Sequence, residues 1–254
     1  MHITVFGASG AVGQHFITLA TQHGHTIRAV YRTMPTAPPP ASVAILVHPD
    51  ICNGDLVAQA IRDADVVIST IGPTFAERHN ARTALLSPPD LHCRLAQALI
   101  GAMQEAGTPT KVIAVSTASM GPADALMPLG PRLLLGFLRT VIVRNLRVIG
   151  RDLTAMEQKL ATSGLDWYAV RPVKLTDGPL TEQVQAGERF VLRSISRADV
   201  AWYLLTLAEA TSPPPTRTPI LISAPHRRRV RTQPLGTVDT NRTALLQEHD
   251  VVTR

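Results

Sequence analysis

GASGAVG, at residues 7–13, decides how the rest of the chain is read. HITVF precedes it at residues 2–6, a short apolar run that needs burial and so reads as a strand. Residues 15–23 follow with helical character, Gly24 stops them, and TIRAVY at residues 26–31 reads as a second strand that ends at Arg32. Strand, glycine turn, helix and strand in this order make a dinucleotide-binding unit. The G-x-x-G-x-x-G spacing alone is a weak signal. Its position between a strand and a helix, with a second strand at the expected distance, makes it specific. Glycines permit the tight turn and the close approach of backbone to a pyrophosphate. The unpaired N–H groups at the start of the helix, with the helix dipole, favour an anion there.

The end of the second strand selects the cofactor. A carboxylate there would bind a ribose 2′-hydroxyl and mark NAD. This chain carries Tyr31, Arg32 and Thr33 instead. An arginine suits a 2′-phosphate, so NADPH is the expected cofactor, with a plain solvent-facing arginine as the alternative.

With 254 residues and 45% hydrophobic content, the chain is long enough for one large α/β domain with a tail. No apolar run approaches the ~18 residues of a membrane span. The N-terminus starts directly on a strand with no basic leader, so no signal peptide is expected. Two cysteines, Cys52 and Cys93, make neither a disulfide framework nor a metal set and fit a reducing cytoplasm. The net charge is +6, with three lysines against 22 arginines. Residues 226–254 hold six arginines and three acids, which supplies +3 of that charge. The body is only mildly basic, which argues against a nucleic-acid face.

Along the chain, a proline-rich loop at residues 34–40 leads to a third strand at 43–47. Residues 53–56 read as a helix start with Asp55 near the cap, and Leu56, Val57, Ala60 and Ile61 as its buried face. A fourth strand spans 64–71, and Gly72 and Pro73 turn the chain. Residues 74–90 form a long polar connection, read equally as a substrate lid or a solvated insertion. A helix over 91–106 is closed by Gly107, and a fifth strand at 111–115 runs into Ser116 and Thr117. Residues 121–130 read as loop, 133–149 as an amphipathic helix studded with arginines, and 152–163 as a further helix. Strands are expected at 166–172, 190–192 and 219–223, with a helix capped by Ser196 and running to about Ala210. From Pro225 onward the composition reads as a basic, disordered tail with one short helix at 243–249.

These residues resemble the atypical short-chain dehydrogenase/reductases of the NmrA-like NAD(P)-binding family, and most of all the biliverdin reductase B/flavin reductase type. The resemblance is carried by GASGAVG, by Gly24 and His25, by Tyr31 and Arg32, and by ADVVI at 64–68. It continues in Met156 and Glu157, SGLDW at 163–167, VRP at 170–172, LTDGP at 175–179 and ISRADV at 195–200. It spans residues 2 to about 224. It implies a doubly wound, mostly parallel Rossmann sheet with helices on both faces, here residues 1–224, followed by the tail at 225–254. It also implies that Gly7, Ser9, Gly10, Ala11, Val12 and Gly13 cradle the pyrophosphate, and that Arg32 and Thr33 meet the 2′-phosphate. Asp50 and Ile51 would contact the adenine. Ile71, Gly72 and Pro73 fall near the nicotinamide ribose, and Pro172 and Val173 orient the nicotinamide ring.

Conventional short-chain dehydrogenases use Tyr-x-x-x-Lys, in which the phenol donates a proton to the reduced carbonyl. Four residues after Tyr31, Tyr168 and Tyr203 stand Pro35, Pro172 and Leu207, so the dyad is absent. Hydride transfer then suits an acceptor that spreads charge and takes its proton easily, a flavin or a conjugated system. Positioning would supply most of the catalysis. Ser116, Thr117 and Lys174 are the candidate helpers. The flavin reductase type has serine at the Thr117 position and histidine at the Lys174 position. The expected function is an NADPH-dependent reductase, cytoplasmic, monomeric or homodimeric, acting on a small molecule without nucleic-acid or membrane partners. A dinucleotide-binding sensor without turnover and a redox-neutral isomerase or cyclase are the alternatives. The nine histidines are scattered, with no H-x-x-x-H pair and no Cys/His cluster beyond His92 and Cys93, so no metal is expected.

Overall fold

A computed structural model describes residues 1–37, 39–77, 84–107, 110–117, 144–187, 193–211 and 219–225. The elements are β1 (His2–Phe6), α1 (Ala11–Gln22), β2 (Thr26–Tyr31), β3 (Val43–Val47), α2 (Gly54–Ile61), β4 (Val66–Ser69), α3 (Leu91–Ala106) and β5 (Lys111–Val115). They continue with α4 (Arg144–Thr162), β6 (Trp167–Pro172), β7 (Lys174–Thr176), β8 (Gln185–Gly187), β9 (Ser194–Ser196), α5 (Arg197–Glu209) and β10 (Ile220–Ser223).

Eight strands form one sheet in the order β3-β2-β1-β4-β5-β6-β10-β8, parallel except where β8 runs against β10. β7 and β9 form a separate parallel pair. The order reverses between β1 and β4, where connections leave to opposite faces. Ligands of open α/β sheets bind in the crevice at such a point.

Strand alternation sorts the core into two layers. Ile3 and Val5 of β1 pack with Phe16, Ile17 and Ala20 of α1 and Leu204, Leu205 and Ala208 of α5. Phe6, on the opposite face, packs with Leu56 and Val57 of α2, Leu95 and Leu99 of α3, and Met156 and Leu160 of α4. Thr4 shares that second face as a polar exception. It is buried, and its hydroxyl donates to Ala60 O at 2.6 Å.

Local signals explain most boundaries. Asn53 caps α2: its side chain accepts from Leu56 N at 3.0 Å, and Asp55 lies near the cap, in the first turn. Gly107 ends α3 at φ 63°. Ser196 caps α5 by accepting from Asp199 N–H, and the buried Asp199 carboxylate gathers the backbone N–H groups of Thr181 and Glu182. That arrangement accounts physically for the ISRADV motif.

Four expectations are corrected. α1 begins at Ala11, not His15, because Gly13 lies inside its first turn. β4 is Val66–Ser69, shorter than residues 64–71, since Thr70 and Ile71 turn away to meet the glycine loop. The helix expected at 152–163 is the latter part of α4, which already starts at Arg144 and ends at Thr162. β7, β8 and β9, three residues each, were not anticipated. The loop at 121–130, most of the 133–149 segment, the 190–192 strand and the tail from residue 226 lie outside the described residues.

Candidate functional site

The glycine loop closes on the end of β4. Gly7 has φ +85°, and a Cβ there would lie 2.7 Å from Ile71 N and from Thr70 C. The Thr70 hydroxyl lies within hydrogen-bond distance of Phe6 O (3.2 Å) and Gly7 O (3.1 Å), so it ties the ends of β1 and β4 together at the reversal point. Gly10 N–H donates to Gly7 O at 3.0 Å and shapes the turn. Gly10 is also the N-cap of α1, with no side-chain cap bond and no acid in the first turn. The start of this helix thus offers backbone N–H groups and the positive end of the dipole to an incoming anion. Ser9 and Gly10 are exposed, Ala11 is half-buried, and Val12 and Gly13 are buried beneath them. This cradle fits a pyrophosphate: a Cβ at Gly7 or Gly13 would clash with the end of β4 or the loop's own backbone and open the turn, and among the described residues no side chain caps the helix.

Arg32 follows β2 and is exposed. Its guanidinium donates to Thr74 Oγ1 at 3.2 Å, across the crevice mouth from the glycine loop's own strand. Thr33 is exposed beside it. Thr74 opens the 74–87 connection, whose described ends pair antiparallel: Ala76 N–H donates to Ala84 O, Leu86 N–H to Thr74 O, and Phe75 pairs with Leu85. Phe75 and Leu85 also pack against the core, so the base of this connection is anchored, and its tip at 78–83 lies outside the described residues.

Asp50 and Ile51 stand after β3. Asp50 Oδ1 accepts from Cys52 N–H at 3.0 Å and Oδ2 from Arg94 at 2.9 Å. The Cys52 N–H, helped by the Arg94 guanidinium, holds this carboxyl below its usual range against the opposing effect of burial. Ile51 is 5% exposed and packs into the core beside Leu56 and Leu91. Burial pushes the Cys52 thiol up to about 11, so it is no thiolate at neutral pH.

On the other side of β4, Ser116 and Thr117 follow β5, and Pro172, Val173 and Lys174 follow β6. Ser116 N–H donates to Val170 O at 2.8 Å and extends the ladder toward the crevice. Pro172 is buried, Val173 half-buried, and Lys174 exposed at the start of β7. The structure thereby brings the ends of β1, β4, β5 and β6 to one edge, with Arg32 at its flank. Lys111 lies at the opposite end of β5, where its ammonium donates to Leu207 O, Ala208 O and Ala210 O at 3.0–3.3 Å.

Behind Ile71 lies a connection that sequence reasoning missed. His92 Nδ1 lies 2.7 Å from Asp152 Oδ2, and His92 Nε2 lies 3.2 Å from Ile71 O. Asp152 also accepts from His92 N–H and Cys93 N–H, so a carboxylate from α4 caps the start of α3. Sixty residues separate the two partners, and no local pattern announces such a pair.

Burial opposes ionisation of Asp152, but the His92 side chain and the two backbone N–H groups outweigh it and hold the carboxyl low. A depressed folded pKa stabilises the fold above the ordinary aspartate value of ~4, and that contribution is lost as pH falls through the folded value. Urea unfolding below pH ~4 is therefore expected to show a steep loss of stability that Asp152→Asn flattens, with Asp152→Asn itself costing about 1–3 kcal/mol at neutral pH. Parallel pH curves for the two proteins would refute this.

A parallel sheet with a glycine cradle at its reversal point defines a dinucleotide-binding Rossmann protein. The sequence profile of the NAD(P)H-binding family matches residues 7–211, and the chain belongs to that family. The resemblance to the atypical short-chain dehydrogenases agrees with this. No curated protein matches significantly. Among solved structures, ChuY, an anaerobilin reductase from Escherichia coli O157:H7, is 24% identical with a TM-score of 0.67, covering 89% of this chain and 98% of that one. A short-chain dehydrogenase/reductase of wide type from Veillonella parvula, in complex with NADP, is 19% identical with a TM-score of 0.67, covering 89% and 95%. SP1627, a candidate NADH-flavin reductase from Streptococcus pneumoniae, is 20% identical with a TM-score of 0.65, covering 89% and 100%. At these identities the likeness is one of fold. No described helix is long and apolar enough to cross a membrane.

Proposed function

We propose that this protein is an NADPH-dependent reductase that delivers a hydride to a small conjugated or flavin-like acceptor. The observation that carries the reading is the uncapped start of α1, closed against Thr70 and Ile71, with the Arg32 guanidinium at the flank of the same edge. The anaerobilin reductase, the candidate flavin reductase and the NADP complex among the similar folds support it.

Bound in this crevice, the reduced nicotinamide supplies a hydride. The chain's own residues bind and orient. Gly10 lets the pyrophosphate approach, the N–H groups of Ala11 and Val12 hold it, and Arg32 holds the 2′-phosphate. Asp50 and Ile51 border the adenine, and Ile71, Gly72 and Pro73 border the second ribose. Pro172 and Val173 set the ring. Ser116 and Thr117 offer hydroxyl donors to the acceptor, and the Lys174 ammonium offers a proton or a grip on an anionic group. A delocalised acceptor needs little more than this, since its incoming charge is spread and its proton can come from water.

The deciding experiment follows the near-ultraviolet absorbance of NADPH with FMN, quinones and conjugated carbonyls in turn. Oxidation with at least one acceptor is expected. Tight NADPH binding with no oxidation would favour the sensor reading. Arg32→Ala is expected to weaken NADPH about 10- to 100-fold, the worth of a charge-assisted hydrogen-bond set, while leaving NADH affinity unchanged. An unchanged NADPH/NADH ratio in calorimetric titration would refute the 2′-phosphate assignment.

A further inference from the structure

At the end of the sheet opposite the crevice, three potential ligands converge from two elements. His23 Nδ1 and His25 Nε2 each lie 2.9 Å from the same oxygen, Oε1 of Glu209, and the ligand atoms all lie within 4.8 Å of one another. We propose that His23, His25 and Glu209 form a binding site for a divalent transition ion of the Zn2+ class.

The backbone at this site is fixed on both sides. Gly24, at φ +79°, reverses the chain after α1, so that two histidines only two positions apart turn toward one point. The three consecutive N–H groups of His23, Gly24 and His25 donate to Leu19 O, Thr21 O and Ala20 O, all within α1. Glu209 is the last residue of α5. That helix end is held by Ala210 N–H on Thr206 O and by the Lys111 ammonium on three of its carbonyls. α1 and α5 share one core layer, so packing, rather than a mobile loop, brings the ligands together.

Two imidazole nitrogens aimed at a single oxygen already describe the convergence a metal needs. An ion takes the lone pair of each of these ring nitrogens, with the ring proton carried on the other nitrogen, and a small turn of each ring re-aims it from the oxygen to the ion. With bonds of ~2.0–2.2 Å at a tetrahedral ion, nitrogen and oxygen stand ~3.3 Å apart. The carboxylate oxygen withdraws by a few tenths of an ångström, and the two ring nitrogens, within 4.8 Å of each other, close toward the same spacing, movements open to a His23 ring with 47% exposure and a Glu209 side chain with 36%. Imidazole and carboxylate donors suit Zn2+ among the borderline ions. His23 is 47% exposed, so the fourth position faces solvent. Such an ion would clamp the end of α1 to the end of α5, remote from the cofactor crevice.

The test is Zn2+ titration of the full chain by calorimetry and thermal unfolding, after chelator treatment and dialysis. One ion per chain is expected. At ~100-fold excess over Kd, the unfolding midpoint should rise by about 5–10 °C. His23→Ala and Glu209→Gln, on different elements, should each weaken this binding more than about tenfold, since even outer-shell partners are worth ~10–100-fold. Co2+ should give the intense visible bands of a four-coordinate site, and both variants should lose them. NADPH affinity should be unchanged in either variant. Absence of a Zn2+-dependent rise, or a rise that both variants retain, would overturn the proposal.

Discussion

Gly13→Ala is expected to destroy tight dinucleotide binding and to destabilise the fold by about 1–3 kcal/mol, although alanine is the better helix former. Its Cβ would lie 2.4 Å from Gly7 O, 2.9 Å from Thr70 Oγ1 and 3.1 Å from Ala8 Cα. The threonine hydroxyl can rotate away. Gly7 O cannot, because it already accepts from Gly10 N–H and lies beside the Thr70 hydroxyl. The strain must open the turn, and the turn is what aims the α1 N–H groups. Gly101→Ala is the control: it lies in α3 with nothing within 4 Å of its would-be Cβ. It should leave binding intact and add up to ~1 kcal/mol of stability. Calorimetric NADPH titration and urea unfolding of both variants check the pair, and Gly13→Ala binding at wild-type strength would sink the argument.

The same glycine shows where sequence reading succeeds and where it stops. The spacing of Gly7, Gly10 and Gly13 was enough to find the crevice. Reading Gly13 as loop nevertheless delayed the start of α1 by four residues, because its reason for being glycine is a contact with Gly7 and Thr70, not a turn of its own. β2, β3, β5 and α3 were legible to the residue, since each is a buried run or an apolar stripe with a local stop signal. β7, β8 and β9 were not, because three residues carry no period. Arg32 was legible as a charge at a strand end, but its bond to Thr74 depends on the 74–87 connection. Asp152 was visible only as the first residue of the helix expected at 152–163. That it caps α3 and braces His92 against Ile71 O is a tertiary fact without local signature. Residues chosen by the chain for pairing at long range are the ones a single sequence hides.

Glu157→Ala is the second large effect, an expected loss of about 3–5 kcal/mol. Glu157 and Arg171 appear in the sequence as separate motif residues. The structure pairs them on the second core face: Arg171 Nε donates to Glu157 Oε1 at 2.9 Å, and Nη2 donates to Oε2. Arg171 is 4% exposed and Glu157 7%. Alternation puts Trp167 and Ala169 of β6 in the same layer, so the guanidinium points into the packing of α4 and not into water. Removing the acid strands a buried cation, which costs far more than the pair is worth against an apolar replacement. Replacing both partners, Glu157→Leu with Arg171→Met, should recover most of that loss. The single variant should lower the thermal midpoint by roughly 6–20 °C. Because Arg171 immediately precedes Pro172 and Val173, the single variant should also loosen the β6 end that borders the crevice, weakening NADPH more than the double variant does. Urea unfolding of the two variants separates the causes: equal losses would mean that packing volume, rather than the unpaired charge, sets the cost at this position.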